Sequence, residues 1–295
     1  MRTNENLHKA KKAKNDEFYT HLTDVSKELI HYKQHFKDKI VLCNCDDPTW
    51  SAFWKYFHLN FSALGLKKLI STHYDKNEPT YKMEYTGGDY NDIEVGVKTP
   101  LEGNGDFRNQ ECLDILDEAD IVVTNPPFSL FSEFVAVLME HKKKFLIIGN
   151  QNAITYKEFF PLLKEDKVWI GCERSFEFDT PTGIPKKMSG LCRWFTNLGI
   201  QKRHEKLILR KNYSPEEYPK YDNYDAINVN KVTDIPCDYN GIMGVPITFL
   251  DKYNPDQFEI IGKFMNGSDN YFDLAKPTLN GKNLYARIAI RRKEK

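Results

Sequence analysis

Nowhere does the chain hold eighteen consecutive apolar residues, and Met1 to Lys14 are polar and Lys-rich with no apolar segment. A membrane-spanning helix and a secretory signal are therefore not expected, because each needs a sustained hydrophobic stretch. Cysteine is scarce: Cys43, Cys45, Cys112, Cys172, Cys192 and Cys237 lie scattered through 295 positions. That scatter fits reduced thiols in a cytoplasmic protein rather than a disulfide framework. No charge of one sign dominates, since 42 Lys and Arg balance 42 Asp and Glu. The balance excludes a uniformly basic coat for nucleic acid but not a local basic face. Glycine-rich phosphate cradles are also missing, as neither G-x-G-x-x-G nor G-x-x-x-x-G-K-[ST] occurs. Dinucleotides and ATP are disfavoured accordingly. No internal repeat or low-complexity tract is present.

What the chain does contain is alternation of strand and helix. Lys39 to Cys45 is a short apolar run ended by Asp46-Asp47-Pro48, the pattern of a buried strand followed by a helix start. Thr49 to Leu64 sets Phe53, Trp54, Phe57 and Phe61 on a helical rhythm before Gly65, and Leu69 to Tyr74 reads as a second strand. Strand, helix and strand make a βαβ unit. Residues 80–100, with alternation at Tyr81–Tyr85 and Ile93–Val97 about Gly87-Gly88-Asp89, predict a hairpin-like insertion outside the core layer. A helix near Cys112–Leu116, a strand at Asp120–Thr124, a helix at Leu130–His141 and a strand at Phe145–Ile148 continue the alternation. This predicts an α/β, doubly wound, mostly parallel sheet, whose ligands bind at the carboxyl ends of strands. Beyond residue 150 a helix over Thr155–Leu163, strands at Val168–Ile170 and Leu191–Phe195, a loop over 172–190, and a smaller irregular region are expected. The domain reading is a basic tail at 1–14, a catalytic domain at 15–200 and a smaller C-terminal region at 201–295, expected to serve DNA recognition.

The sharpest chemical signal is Asn125-Pro126-Pro127-Phe128 directly after a strand. An exocyclic adenine amine is a poor nucleophile because its lone pair is delocalised into the ring. Two acceptors for its hydrogens, the Asn side-chain oxygen and the next main-chain carbonyl, draw that nitrogen toward a tetrahedral form. The prolines stiffen the turn and remove competing amides, and Phe128 offers a face on which an extruded base can stack. The bland alternative is a helix-entry turn, which Asn and Pro also favour. The acids Asp46, Asp47, Asp75 and Asp106 fall at successive predicted strand ends, where they can accept bonds from a ribose or lie near an amino group. Singly, each is better read as a cap or turn residue. A ligand with a ribose but no phosphate fits, and S-adenosylmethionine is one. Cys43-x-Cys45 with His58 and His73 matches no zinc spacing, so no metal is expected. Basic clusters at Lys9–Lys14, Lys186-Lys187, Lys202-Arg203 and Arg287–Lys295, including Arg291 and Arg292, suggest a phosphate-contacting side or simply solvated faces.

Asn125–Phe128 looks like the catalytic turn of amino-group methyltransferases, and Asn15-Asp-Glu-Phe-Tyr-Thr20 resembles the N-terminal cofactor segment of adenine methyltransferases. Cys43–Pro48, Gly105-Asp-Phe-Arg108, Val123–Phe131 and Gly241–Leu250 are similar to the EcoRI family of adenine-specific DNA methyltransferases, from about Lys14 to Arg292. The resemblance implies a Rossmann-like methyltransferase fold, S-adenosylmethionine, double-stranded DNA as substrate and a restriction–modification context with a cognate endonuclease. It further implies cofactor contacts at Phe18, Tyr19, Thr20, Cys45, Asp46, Asp47, Pro48, Asp75, Asp106 and Phe107. Where most of the superfamily carries a Gly-rich loop, this chain has Cys43–Pro48, and Asp46 and Asp47 are expected to take over part of its role. DNA contact is expected from Lys186, Lys187, Arg291 and Arg292. An RNA or protein amino-group methyltransferase, or a catalytically silent nucleic-acid-binding module, stands as the alternative.

Overall fold

The structure, a computed structural model, describes residues 19–45, 47–75, 79–88, 96–174, 177–179, 185–187, 190–265 and 273–293. The chain divides into two compact units, Ile154–Val168 packing with Gly199 onward and Trp169–Leu198 packing with the residues up to Ala153. The segment 154–168 thus belongs with the C-terminal sheet, although it precedes the 200/201 boundary read from sequence.

The first unit comprises β1 (Tyr19–Thr20), α1 (Leu22–Leu29), β2 (Ile40–Asn44), α2 (Ala52–Leu59), α3 (Phe61–Leu64), β3 (Lys68–Thr72), β4 (Tyr81–Tyr85), β5 (Val97–Pro100), α4 (Gln110–Glu118), β6 (Ile121–Thr124), α5 (Phe131–Glu140), β7 (Lys144–Asn150), β8 (Trp169–Ile170), β9 (Glu177–Asp179), β10 (Pro185–Lys187) and β11 (Cys192–Thr196). Its eight-stranded sheet runs β5-β4-β3-β2-β6-β7-β11-β8. The inner strands β3, β2, β6 and β7 are parallel, and antiparallel strands extend the sheet on both sides. This is a Rossmann-like α/β fold. The inner strands read as unbroken apolar runs because both faces are covered. Trp194 meets Phe53 of α2 with ring centroids 6.1 Å apart, while its neighbour Phe195 meets Phe131 of α5 at 5.2 Å. Ser51 caps α2, its Oγ accepting from Trp54 N, and Gly65 ends α3 in the left-handed region at φ 65°.

β4 and β5 correct the expected insertion, since β4 pairs with β3 and β5 with β4, so both widen the main sheet, while Asp89 and most of the strand expected at Ile93–Val97 lie outside the described residues. The alternation did its usual work, burying Tyr81, Met83 and Tyr85 on one face, where Tyr85 contacts Phe61 and His58 at 4.8 and 4.2 Å. The expected loop at 172–190 is also corrected, because it contains β9 and β10, which form a three-stranded sheet with β1. β9 pairs with the N-terminal strand β1 on one side and with β10 on the other, and no apolar pattern announces either pairing. The helix read over Thr155–Leu163 is confined to α6 (Phe160–Lys164), preceded by a 3₁₀ turn at Gln151–Thr155.

The second unit is not irregular. Beside α6 it holds β12 (Ala226–Asn228), β13 (Ile242–Pro246), β14 (Phe258–Phe264), β15 (Asp273–Leu274), β16 (Thr278–Leu279), β17 (Lys282–Asn283) and β18 (Arg287–Arg292). A five-stranded sheet runs β12-β13-β18-β14-β15, with Tyr221, Ala226, Phe264 and Ala289 packed in a core cluster. The buried Lys263 donates from Nζ to Thr155 O at 2.6 Å, tying residues 154–168 to this sheet. No helix among the described residues is long and apolar enough to cross a membrane.

Glu28 of α1 is fully buried and its carboxylate accepts from Cys172 N, Glu173 N and the Tyr32 hydroxyl at 2.6–3.0 Å. It fastens the helix after β1 to the segment that enters β9. Burial pushes its pKa up from the ordinary 4.5 to about 7, outweighing those donors. The folded protein therefore holds this proton more tightly than the unfolded chain does. The resulting stability is fully present below about 4.5 and is lost as pH rises through 7. The swing is roughly 3 kcal/mol. In urea titrations at pH 5 to 8, wild type should lose about that much relative to Glu28→Gln, whose amide does not titrate. Parallel curves for the two proteins would remove Glu28 as the source.

Candidate active site

The strand order reverses between β2 and β6: the β2–β3 connection leads to one side and β6–β7 to the other. At such a switch point two helices diverge and leave a crevice beyond the carboxyl ends. Asn44 ends β2 and Thr124 ends β6, and the Thr124 hydroxyl donates to the Asn44 carbonyl, locking the two ends together. The turn Asn125–Phe128 begins at this crevice. Asn125, Pro126 and Phe128 are buried, Pro127 half-buried, and Phe128 opens a 3₁₀ turn closed by Leu130 N to Pro127 O at 2.9 Å. Helix α5 follows at once. It seats closely because Phe131 lies over Gly149 of β7, where a Cβ would come within 2.3 Å of the ring.

The acids gather at the same edge by different routes. Asp47 follows β2 and accepts from Thr49 N at 2.8 Å, Thr49 Oγ1 at 2.6 Å and the Tyr81 hydroxyl at 2.8 Å. Partial burial alone would raise its pKa, but those bonds and nearby His73 hold it below the usual carboxylate range. Pro48 continues the turn from Asp47. Asp75 lies just past β3, its amide donating to Asn104 O at 3.1 Å. Asp106 does not end a strand; it lies in the loop between β5 and α4. Gly105, at φ 74°, lets that loop press against the end of β3, since a Cβ there would sit 1.9 Å from the His73 carbonyl oxygen. Asp106 is gripped by Arg108, with Nε to Oδ1 at 2.9 Å and Nη2 to Oδ2 at 2.7 Å, and Arg108 also reaches Glu133 of α5 at 2.8 Å. These Arg108 bonds lower the Asp106 pKa, so the carboxylate stays ionised. Arg108 N and Nε occupy Oδ1, whereas Oδ2 takes only Nη2. Phe107, buried, packs edge-on against Phe134 at 5.0 Å.

Thr20 is buried on β1, its hydroxyl without a hydrogen-bond partner among the described residues, and the same holds for Asn44 Oδ1. Thr20, His21, Thr23, Trp50 and Lys55 line a cleft of ≈ 600 Å³. Cys45 turns the chain out of β2 with φ 81°, the left-handed region where a glycine would be unstrained. Phe18 and Asp46 lie outside the described residues, and of Tyr19 only the backbone is described.

Of the four cations expected to meet phosphate, Lys186 and Lys187 fall on β10, in register with Phe178 and Glu177 of β9, and β9 pairs in turn with β1. Arg291 and Arg292 lie on β18, the middle strand of the second unit's sheet, rather than in a tail. Arg291 pairs with Glu259 at 2.9 Å and Arg292 donates to the Cys237 carbonyl. Among the described residues no cluster of three or more metal-ligating side chains occurs. Sequence reading did not single out Asn44, Tyr81, Gly105 or Arg108 as site-building residues, although Arg108, two residues from Asp106, had the spacing for an Asp–Arg clamp.

A family model described as Adenine-specific methyltransferase EcoRI matches residues 6–293. The Type II methyltransferase M.EcoRI of Escherichia coli is 48% identical over 99% of this chain and 97% of its own length. The Type II methyltransferase M.MpnI of Mycoplasma pneumoniae is 41% identical over 88% of this chain and 86% of its own. M.MgeORF184P of Mycoplasma genitalium, also a Type II methyltransferase, is 38% identical over 98% and 99%. Enzymes of this kind require a methyl donor. The chain belongs to the EcoRI family of adenine-specific methyltransferases.

Proposed function

We propose that this protein methylates the exocyclic amine of an adenine flipped out of duplex DNA, as the modification enzyme of a restriction–modification system with a cognate endonuclease. The observation that carries the reading is the junction of the Asn125 turn with the end of β2 at the strand-order reversal. In this reading Asn125 Oδ1 and the Pro126 carbonyl accept the two amine hydrogens, while Phe128 stacks on the base. Pro126 and Pro127 fix the spacing of those acceptors. S-adenosylmethionine would supply an electrophilic methyl group on a sulfonium. The amine nitrogen forms its bond to that methyl as the carbon–sulfur bond breaks, the electron pair stays on sulfur, and the amine proton leaves to water. The chain contributes position and aimed acceptors.

The unpartnered, buried Asn44 Oδ1 and Thr20 Oγ1 are suited to the donor's polar groups. Asp75 suits ribose hydroxyls, the remaining acceptor site on Asp106 Oδ2 suits an amino group, and Phe107 offers its backbone and ring edge. Phe18, Tyr19, Cys45, Asp46 and Pro48 are assigned to the donor on the family resemblance, while Asp47 acts through Thr49 and Tyr81. Lys186 and Lys187 are assigned to DNA phosphates; Arg291 and Arg292, already engaged, add charge more than direct contacts.

Labelled methyl transfer tests the reading: duplex DNA should gain N6-methyladenine, and RNA and protein should not. Lys186→Gln with Lys187→Gln should flatten log affinity against log salt by roughly one for each phosphate that is no longer neutralised. Label appearing in RNA alone would overturn the DNA assignment.

A further inference from the structure

Strands β16 and β17 are two residues each, joined by Asn280-Gly281, both in the left-handed region at φ 53° and 74°, the signature of a type I′ turn. A hairpin that short does not hold its shape alone in water. Here residues 222–224 hold it. Asp222 N donates to Thr278 O at 2.8 Å, and the Asp222 carboxylate accepts from Asn280 N at 3.2 Å and Gly281 N at 2.8 Å. Asn223 Nδ2 donates to Lys276 O at 3.0 Å and its Oδ1 accepts from Thr278 N at 2.9 Å; the Tyr224 hydroxyl donates to Ala275 O at 3.2 Å. Yet the hairpin buries little: Asn280, Lys282 and Asn283 are exposed, and the adjoining Tyr285 is 87% exposed. So many polar bonds hold in one shape a hairpin whose tip and second strand are exposed.

Its charge is as lopsided as its order. From Lys276 to Lys293 there is no Asp or Glu, while Lys276, Lys282, Arg287, Arg291, Arg292 and Lys293 fall in that stretch of a chain whose total charge is zero. Among the described residues Lys276, Lys282 and Lys293 have no ion pair, unlike Arg291. A rigid, exposed finger that carries no acid of its own, its tip backbone clasped from below by Asp222, with amides at its tip and an aromatic at its base, suits a polyanion whose grooves display hydrogen-bonding edges.

We propose that the β16–β17 hairpin is a duplex-DNA contact element, with Asn280 and Asn283 addressing base edges and Lys276 and Lys282 addressing phosphates. Asp222 and Asn223 are its positioning residues. The proposal rests on the DNA-methylating reading above, so the full-length wild type is the control. Binding is measured on a duplex carrying the site found by sequencing methylated adenines, and on a scrambled duplex, at several salt concentrations. Lys276→Gln with Lys282→Gln should weaken both duplexes alike and flatten the salt slope by about two, close to one for each phosphate contact. Asn280→Ala with Asn283→Ala should leave the slope intact and lower the preference for the cognate duplex by at least about fivefold. S-adenosylmethionine binding, read by equilibrium dialysis, should not change in either variant. Wild-type slope and wild-type preference in both variants would overturn the hairpin proposal alone. A wild type that methylates no DNA would overturn the parent reading instead.

Discussion

Asn125→Ala is expected to lower the rate of methyl transfer by at least about 10²–10³-fold, the loss that follows removal of one aimed polar group. The larger end applies here, because in the proposed reaction Asn125 and Pro126 are the groups that alter the hybridisation of the amine nitrogen. A main-chain carbonyl cannot be removed by substitution, so Asn125 is the accessible half of the pair. The side chain is buried at the strand-order reversal, but the Thr124–Asn44 bond beneath it involves no Asn125 atom. Strand ends and fold should therefore persist in the variant, and donor binding with them. Single-turnover transfer to duplex DNA separates chemistry from product release, and dialysis of S-adenosylmethionine checks the donor site in parallel. Turnover within about threefold of wild type would remove Asn125 from the chemistry. A parallel collapse of donor affinity would reassign it to binding.

The parallel heart of the fold was readable because its strands are short unbroken apolar runs with amphipathic helices between them, a pattern that both covered faces impose. The placement of the Asn125–Phe128 turn was readable for a related reason: it directly follows a short apolar strand, β6, whose position the alternation fixes. What the sequence concealed were features made by partners distant in the chain. Strand β9 pairs with β1, more than 150 positions away in register, and β10 joins that sheet only through β9. The C-terminal arginines sit on β18 because β13 and β14 flank it, not because their own segment stands out among charged tails. Tyr81–Tyr85 was legible as an alternating strand, but nothing local says that its partner is β3. The acids divide similarly: Asp47 and Asp75 follow strands as expected, whereas Asp106 reaches the site through the bend at Gly105.

That bend gives the second large effect. Gly105→Ala is expected to destabilise the first unit by roughly 2–5 kcal/mol and to weaken donor binding at least about tenfold. Two costs combine. A left-handed residue with a Cβ is strained by about 1–2 kcal/mol. The new methyl would also stand 1.9 Å from the His73 carbonyl oxygen, 2.9 Å from its carbonyl carbon and 3.2 Å from Tyr74 Cα, all backbone atoms without a rotamer to yield. Overpacking of that kind typically adds about 1–3 kcal/mol. The loop must withdraw, and it carries with it Asn104, which holds Asp75, and Asp106 with its Arg108 clamp. Gly190→Ala is the matched control. Gly190 has φ 80°, but a Cβ there meets nothing within 4 Å, so only the backbone strain should be felt. Urea unfolding of both variants should show Gly105→Ala losing more by the overpacking cost, and dialysis should show donor binding weakened in that variant alone. Equal losses with unchanged donor affinity would mean that the loop tolerates displacement and that Asp106 contributes little to holding the methyl donor.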